Sequence, residues 1–533
     1  MSLMNACGWS ALRAALIVLA AAPLCVLLAR MLSDKETRFV KNTGFLNTAR
    51  TRQRVIWTLL LIPFLTPDLL VGYAYGNFSP FPLVRHPWMS ELLYGVLLWM
   101  KLVPVGAVVM YLTPPAPLTA EAIHCRRLSL AAWPQGIGTY FVLLGDFIRG
   151  PARRMFPALG LVFLLAFQEF ELGSLLGITA GRIGSPVSWT RTLFEGQQGV
   201  IDRLAPLKWT VWPMLFDLAA LIPLVWLISQ GRHLTAATEP GRKSVGRIAR
   251  LSAWCYFVTA TILVTVIPLT YVLRESTGGY AALLASGEQV AGLSREIFVG
   301  CSFAGVAAVA AYCLAAIPLM PQSGRLLTEF PTDGCHWRVA SAHRDALATR
   351  QWHPIRQSIK YTTALLLIPG LAGSLIVGLS ILYLFQTDWL NPLYDTLAPL
   401  GIALVLFLAP RALLLQLLFR SGRPHESGWL IKLLSRSAVD HQRRTAGRLL
   451  WSIQRSRHFW AMALLALWAY WDLTSAAILH PSSMVPASVR LYNLMHYGHN
   501  AVLSAMTLLA VAVPLVLAWL FASLLRPLTG RLV

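Results

Sequence analysis

Charged residues are scarce in this chain of 533 residues: Asp, Glu, Lys and Arg make up 13% of it, against about 25% in an ordinary soluble domain. A water-soluble globule is excluded on that ground. Other absences narrow the function. There is no Gly-x-x-x-x-Gly-Lys-[Ser/Thr] phosphate loop, so any ATP used must be handled by a separate protein. No Ser/His/Asp or paired-carboxylate arrangement points to catalysis, and neither an enzyme nor a cofactor is expected. The cysteines, Cys7, Cys25, Cys125, Cys255, Cys301, Cys313 and Cys335, form no Cys-x-x-Cys pair and read as small apolar fillers and free thiols. Cys335-His336 and the group His480, His496 and His499 lack metal-ligand spacing, so no metal site is expected.

What the chain does have is apolar length. Hydrophobic residues make up 56% of it, and they fall in runs that match the roughly 20 residues needed to cross a bilayer. Eleven spans follow: 10–31, 55–76, 91–113, 155–177, 208–230, 252–273, 297–320, 361–386, 394–418, 458–480 and 500–525. In lipid every backbone polar group must be satisfied within its own segment, so the spans are helices. The expected fold is all-α and polytopic, with about 11–12 transmembrane helices. Pro63 and Pro369 are expected to kink theirs. The 19 tryptophans suit the belts at membrane interfaces.

A net charge of +22 invites a nucleic-acid reading, which its distribution rejects. Arg30, Lys35, Arg38, Lys41, Arg50, Arg52 and Arg54 lie in the first loop, and Arg242, Lys243, Arg247 and Arg250 follow the fifth span. Arg420, Arg423, Lys432, Arg436, Arg443, Arg444 and Arg448 crowd the loop before the tenth. The alternate loops are poor: 77–90 has only Arg85, 387–393 has none and 481–499 has only Arg490. This alternation is the positive-inside signal, and it predicts an external N-terminus and a cytoplasmic C-terminus. The first apolar run is long for a signal peptide, and Arg30 and Lys35 behind it read as a stop, so a retained helix is expected.

The chain also repeats itself. Leu61-Ile62-Pro63-x-Leu65-x-x-x-Leu69-x-Val71-Gly72 recurs as Leu367-Ile368-Pro369-x-Leu371-x-x-x-Leu375-x-Val377-Gly378. At nearly the same offset Glu121 meets Glu426, and Glu169 meets Asp472. Spans 55–76, 91–113, 155–177 and 208–230 correspond to 361–386, 394–418, 458–480 and 500–525, and 10–31 matches 297–320 by order. The repeats run in the same sense, related by an axis along the membrane normal, as in transporters built from two like halves. Span 252–273 has no counterpart. The division is therefore a first repeat over 1–235 with about five helices, a cytoplasmic linker over 236–251 and a second repeat over 252–533 with six.

Four stretches carry a family resemblance. They are the two Leu-Ile-Pro helices, the run Phe167-Gln168-Glu169-Phe170-Glu171-Leu172-Gly173-Ser174-Leu175-Leu176 with its repeat Trp471-Asp472-Leu473-Thr474-Ser475-Ala476-Ala477-Ile478-Leu479, the segment Ser488-Val489-Arg490-Leu491-Tyr492-Asn493-Leu494-Met495-His496-Tyr497-Gly498, and one cytoplasmic Glu per half. Together they resemble the fused, two-repeat permease subunit of binding-protein-dependent ABC importers, closest to the ferric-iron type. The resemblance implies a permease of the bacterial inner membrane. It would take a solute from an external binding protein, with an ABC ATPase, most naturally a dimer, on the cytoplasmic side. It also implies coupling helices at Glu121 and Ala122 and at Glu426, Ser427 and Gly428, with Arg127 and Lys432 standing where the family has glycine.

Glu169, Glu171 and Asp472, together with Pro63 and Pro369, are candidates for the pathway or for contact between the repeats. Carboxylates inside a bilayer usually face the bundle interior or water, so plain interfacial exposure stands beside that reading. An ATP-independent secondary carrier and a diverged, non-transporting membrane protein on the same fold stand beside the importer. Lipid is the one partner that composition alone implies.

Overall fold

The structure, a computed structural model, describes residues 3–39, 46–78, 87–112, 152–179, 188–199, 210–217, 246–317, 369–370, 372–421, 456–496 and 501–531, with a few further positions between 434 and 449. Among these residues every regular element is a helix. The first part of the chain forms α1 (Leu3–Phe39), the pair α2 (Leu46–Leu65) and α3 (Asp68–Phe78), and α4 (Pro87–Leu112). A second pair, α5 (Ala152–Phe167) and α6 (Glu171–Thr179), leads to the short α7 (Trp189–Gly199). Then α8 (Arg247–Thr261), a π-helical turn (Ile262–Val266) and α9 (Ile267–Ala285) run on as one long helix. The remainder is α10 (Gly287–Ala316), α11 (Ser374–Phe385), α12 (Ala398–Ser421), the pair α13 (Ser456–Trp471) and α14 (Leu473–Leu479), α15 (Ala487–His496) and α16 (Ala501–Arg531).

Seven of the described helices are long and apolar enough to cross a membrane, and nine if each of two bent pairs is one span. The chain is a multi-pass helical membrane protein. Two of the eleven expected spans complete the comparison: 208–230 is described only at 210–217, and 361–386 only at 369–370 and 372–386. The span expected at 252–273 is longer, running from Arg247 to Ala285, so the described end of the expected linker belongs to α8.

Each half contains broken helices, and the described break near Pro63 falls after that proline; the residues preceding Pro369 lie outside the described ones. Pro63 sits buried inside α2, and the chain turns through 70° between Val55–Leu65 and Asp68–Asn77. The reason is Pro67, which has no N–H for the carbonyl four residues back and pushes Thr66 out of helical conformation. Thr66 closes the end of α2 twice, through its N–H and its hydroxyl, to the Ile62 carbonyl (3.0 and 2.9 Å). After Pro369 the described residues 372–373 are non-helical, and Gly373 has φ +89°, a conformation few other residues adopt. The pair α13–α14 bends by 52° at Asp472, and α5–α6 is interrupted over 168–170.

The same packing scheme occurs twice. In the first part α1, α4 and α5 pack mutually, while α6 lies against α3 and α4. In the second, α10, α12 and α13 pack mutually, and α14 lies against α11 and α12. Lipid gives no hydrophobic drive between helices, so close contact depends on small residues. Accordingly α10 buries Ala304, Ala307, Ala308, Ala311 and Ala315, while Leu12, Leu16 and Leu19 of α1 and Leu515, Val516 and Trp519 of α16 face outward. The unmatched helix α8–α9 bridges the halves: it packs on α16 and also on α2 and α3. Its π turn frees a backbone carbonyl, and the Tyr75 hydroxyl from α3 donates to Leu263 O at 2.8 Å.

Candidate functional site

The broken helices converge. Glu169, in the break between α5 and α6, accepts the Tyr94 hydroxyl from α4 and the N–H groups of Leu172 (2.5 Å) and Gly173 (3.3 Å). A carboxylate at this place suits the free donors and positive end of α6. The carbonyls left by the break are also met: Trp189 Nε1 donates to Phe167 O (2.7 Å) and the Thr190 hydroxyl to Glu169 O (3.0 Å). Irregular backbone is tolerated at membrane depth only with such partners.

Glu171 reaches across the molecule. Its carboxylate accepts the N–H of Leu473, the first residue of α14, at 2.9 Å, so a side chain of the first half caps a helix of the second. Asp472 precedes that residue in the α13–α14 break, is 6% exposed, and has one carboxylate oxygen, Oδ2, without a hydrogen-bond partner. Arg411 of α12 is the cation that acts on both Asp472 and Glu171. Its guanidinium lies over the rings of Phe407 (3.8 Å) and Trp468 (5.1 Å).

The α2–α3 break completes the arrangement. Lys101 of α4, 4% exposed, donates to Thr66 O (2.6 Å) and to Asp68 Oδ1 (2.5 Å). It thereby satisfies the end of α2 and the start of α3 together. Asp68 is near enough to act electrostatically on Glu169 and Glu171. Behind Tyr94, Arg13 of α1 pairs with Glu91 (2.9 Å) and lies 4.5 Å from the centre of the Tyr94 ring. Four carboxylates, Asp68, Glu169, Glu171 and Asp472, thus meet two cations, Lys101 and Arg411, where the two halves join. A charged side chain at the bilayer centre costs about 2.5–3.5 kcal/mol on insertion scales, which makes this grouping the candidate site.

Of the residues singled out from the sequence, Glu169, Glu171 and Asp472 are brought together here. Pro63 and Pro369 lie near the ends of their broken helices, outside the polar contacts. Glu121, Ala122, Glu426, Ser427 and Gly428 lie outside the described residues. Asp68, Lys101 and Arg411 were not singled out, although a charge within an apolar span was signal enough. No group of three or more His, Cys, Asp or Glu among the described residues is placed to hold a metal ion. Comparison with protein-family models, with curated proteins and with solved structures finds no match.

Proposed function

We propose that the protein is the permease subunit of a binding-protein-dependent ABC importer, passing a solute from an external binding protein to the cytoplasm with a separate ATPase supplying the energy. The observation that carries this reading is the convergence of the broken helices of both halves on one buried carboxylate–cation cluster. Transport proteins built from two like halves move their solute between those halves, at discontinuous helices. Lys101 and Arg411 already neutralise part of the carboxylate charge, so a passing cation would compete with them for the same oxygens. The family resemblance adds ferric iron as the solute, the bacterial inner membrane as the location, and coupling helices at Glu121 and Glu426. The basic loops put the C-terminus in the cytoplasm and the N-terminus outside.

A second reading, an ATP-independent carrier, is favoured by the same buried carboxylates beside Lys101, which are the usual parts of a proton- or ion-coupled site. Purification in mild detergent, followed by identification of bound partners, separates the two. The importer requires an ATPase and a solute-binding protein, and uptake into vesicles that needs ATP. Uptake by the protein alone, driven by an ion gradient, would establish the carrier instead.

A further inference from the structure

The second half contains a cavity of about 160 Å³, bounded by α10, α12, the end of α13 and the turn leading into α15. One side is apolar, formed by Phe303, Leu400, Leu404 and Val485. The other carries Glu296, Tyr470 and Ser488. The Tyr470 hydroxyl, the Ser488 hydroxyl and Glu296 Oε2 are all buried and have no hydrogen-bond partner in the protein. Tyr470 is 5% exposed and Ser488 1%. Buried polar atoms are almost always paired, so three orphans around one cavity call for an explanation.

The first half shows what the same corner looks like when closed. Phe167 stands two residues before Glu169, as Tyr470 stands two before Asp472. Trp189, at the start of α7, is fully buried against Phe167, with ring centres 5.4 Å apart. Its indole N–H is spent on the Phe167 carbonyl. In the second half the corresponding short helix, α15, starts on Ala487 and Ser488, and both line the cavity. Ala487 and Ser488 begin this helix where the first half has Trp189 and Thr190, so no indole fills the corner, and the facing ring carries a hydroxyl. Packing alone favours the opposite choice, since an apolar corner is better filled and a phenylalanine needs no partner.

We propose that this cavity is a binding site for a small neutral amphiphile, a ring or short chain of phenol-like size bearing one hydroxyl. The volume sets the size, since an apolar cavity of about 150 Å³ accepts benzene. The charge balance sets the neutrality. Arg490 Nη1 already holds Glu296 Oε1 at 2.5 Å, and Arg295 also lines the space, so no net negative charge is left to attract a cation. Glu296 Oε2 retains its capacity to accept, and the ligand hydroxyl would donate to it while Tyr470 or Ser488 donates in return.

The test uses the full-length protein in detergent, with phenol and toluene as probes and binding read by saturation-transfer NMR and calorimetry. Phenol is expected to bind at least about tenfold tighter than toluene, because a site with orphaned hydrogen-bonding groups rejects the analogue that cannot pair. Tyr470→Phe should reduce that preference, and Ser488→Trp, which fills the cavity with an indole, should abolish binding of both. Tyr470→Phe changes one oxygen atom, so it keeps the test decisive even where Ser488→Trp fails to fold. Equal binding of phenol and toluene to the wild type, or unchanged phenol binding in Tyr470→Phe, overturns the proposal.

Discussion

The two halves meet the same structural problem, a helix broken within a candidate membrane span, with different chemistry. In the first half the α5–α6 break carries Glu169 and Glu171. In the second the matched positions are Asp472 and Thr474. Glu171 crosses to bond the Leu473 N–H, whereas a threonine at 474 is too short to return a comparable bond to the first half. Shape, in contrast, is matched on both sides. Gly72 packs on Leu175 of α6, and Gly378 packs on Ile478 of α14, with the same register between the two pairs. Helix contacts have therefore kept the repeat where geometry demands it, while charge has become one-sided.

The cations sharpen the contrast, and the largest effect is expected from them. Lys101 and Arg411 lie on matched helices, near the matched prolines Pro104 and Pro410. Lys101 is hydrogen-bonded to Asp68 and to backbone, whereas Arg411 stacks on rings. Arg411→Ala takes away both the ring stacking and the cation that acts on the buried Asp472, and should cost about 3–5 kcal/mol in a detergent unfolding titration. Lys101→Ala removes the partner of the half-buried Asp68 carboxylate and of a helix-end carbonyl, and should cost less, about 1–3 kcal/mol; equal losses would end the distinction. Of similar size, Glu171→Ala removes a charged acceptor from the Leu473 N–H and should cost about 1.5–3 kcal/mol; under the proposed function it should also abolish uptake. Thr474→Ala, its counterpart, should leave uptake intact.

The glycine pair gives a purely steric comparison. A Cβ at Gly72 would stand 2.7 Å from Leu175, so Gly72→Ala overpacks the crossing and should cost about 1–3 kcal/mol. At Gly378 the nearest atom of Ile478 is 3.5 Å away, an ordinary contact, and Gly378→Ala should be nearly neutral in the same titration. The smallest effect concerns the unmatched helix. The Thr66 and Thr265 hydroxyls share a hydrogen bond of 2.8 Å between the α2 break and the π turn. Thr265→Val should lower stability by about 0.6 kcal/mol, the average for such bonds between membrane helices, and a much larger loss would make this contact a principal tie between α8–α9 and the first half.

Much of the helix layout was legible. Leu, Val, Ala and Ile run long enough at 3–32, 88–111 and 501–524 that no other structure is open to them in lipid. Glu169, Glu171 and Asp472 were legible as carboxylates at matched positions. Asp68, Lys101 and Arg411 were passed over, because each is an isolated charge in a different span and nothing in the linear order joins them. The break near Pro63 was misplaced by a few residues. Two prolines, Pro63 and Pro67, compete within one helix, and the later one decides because Thr66 can still complete the turn before it. The helix α8–α9 runs beyond the expected span because the charged Arg274 and Glu275 end the apolar run but not the helix, which continues to Ala285.

The sequence by itself determined that this protein is helical and membrane-embedded, and that it is written twice. The hydrophobic period and the bilayer's intolerance of unpaired backbone act residue by residue, with no need of partners. Only the tertiary structure decided which charges meet, because Lys101 finds Asp68 and Glu171 finds Leu473 through helix breaks that turn each element toward another. It also decided that the two halves differ, with Trp189 filling one corner and Ser488 opening the other. Packing is a property of neighbours, and the linear order does not say which ones meet, whether 33 residues apart, as Lys101 and Asp68, or 302, as Glu171 and Leu473.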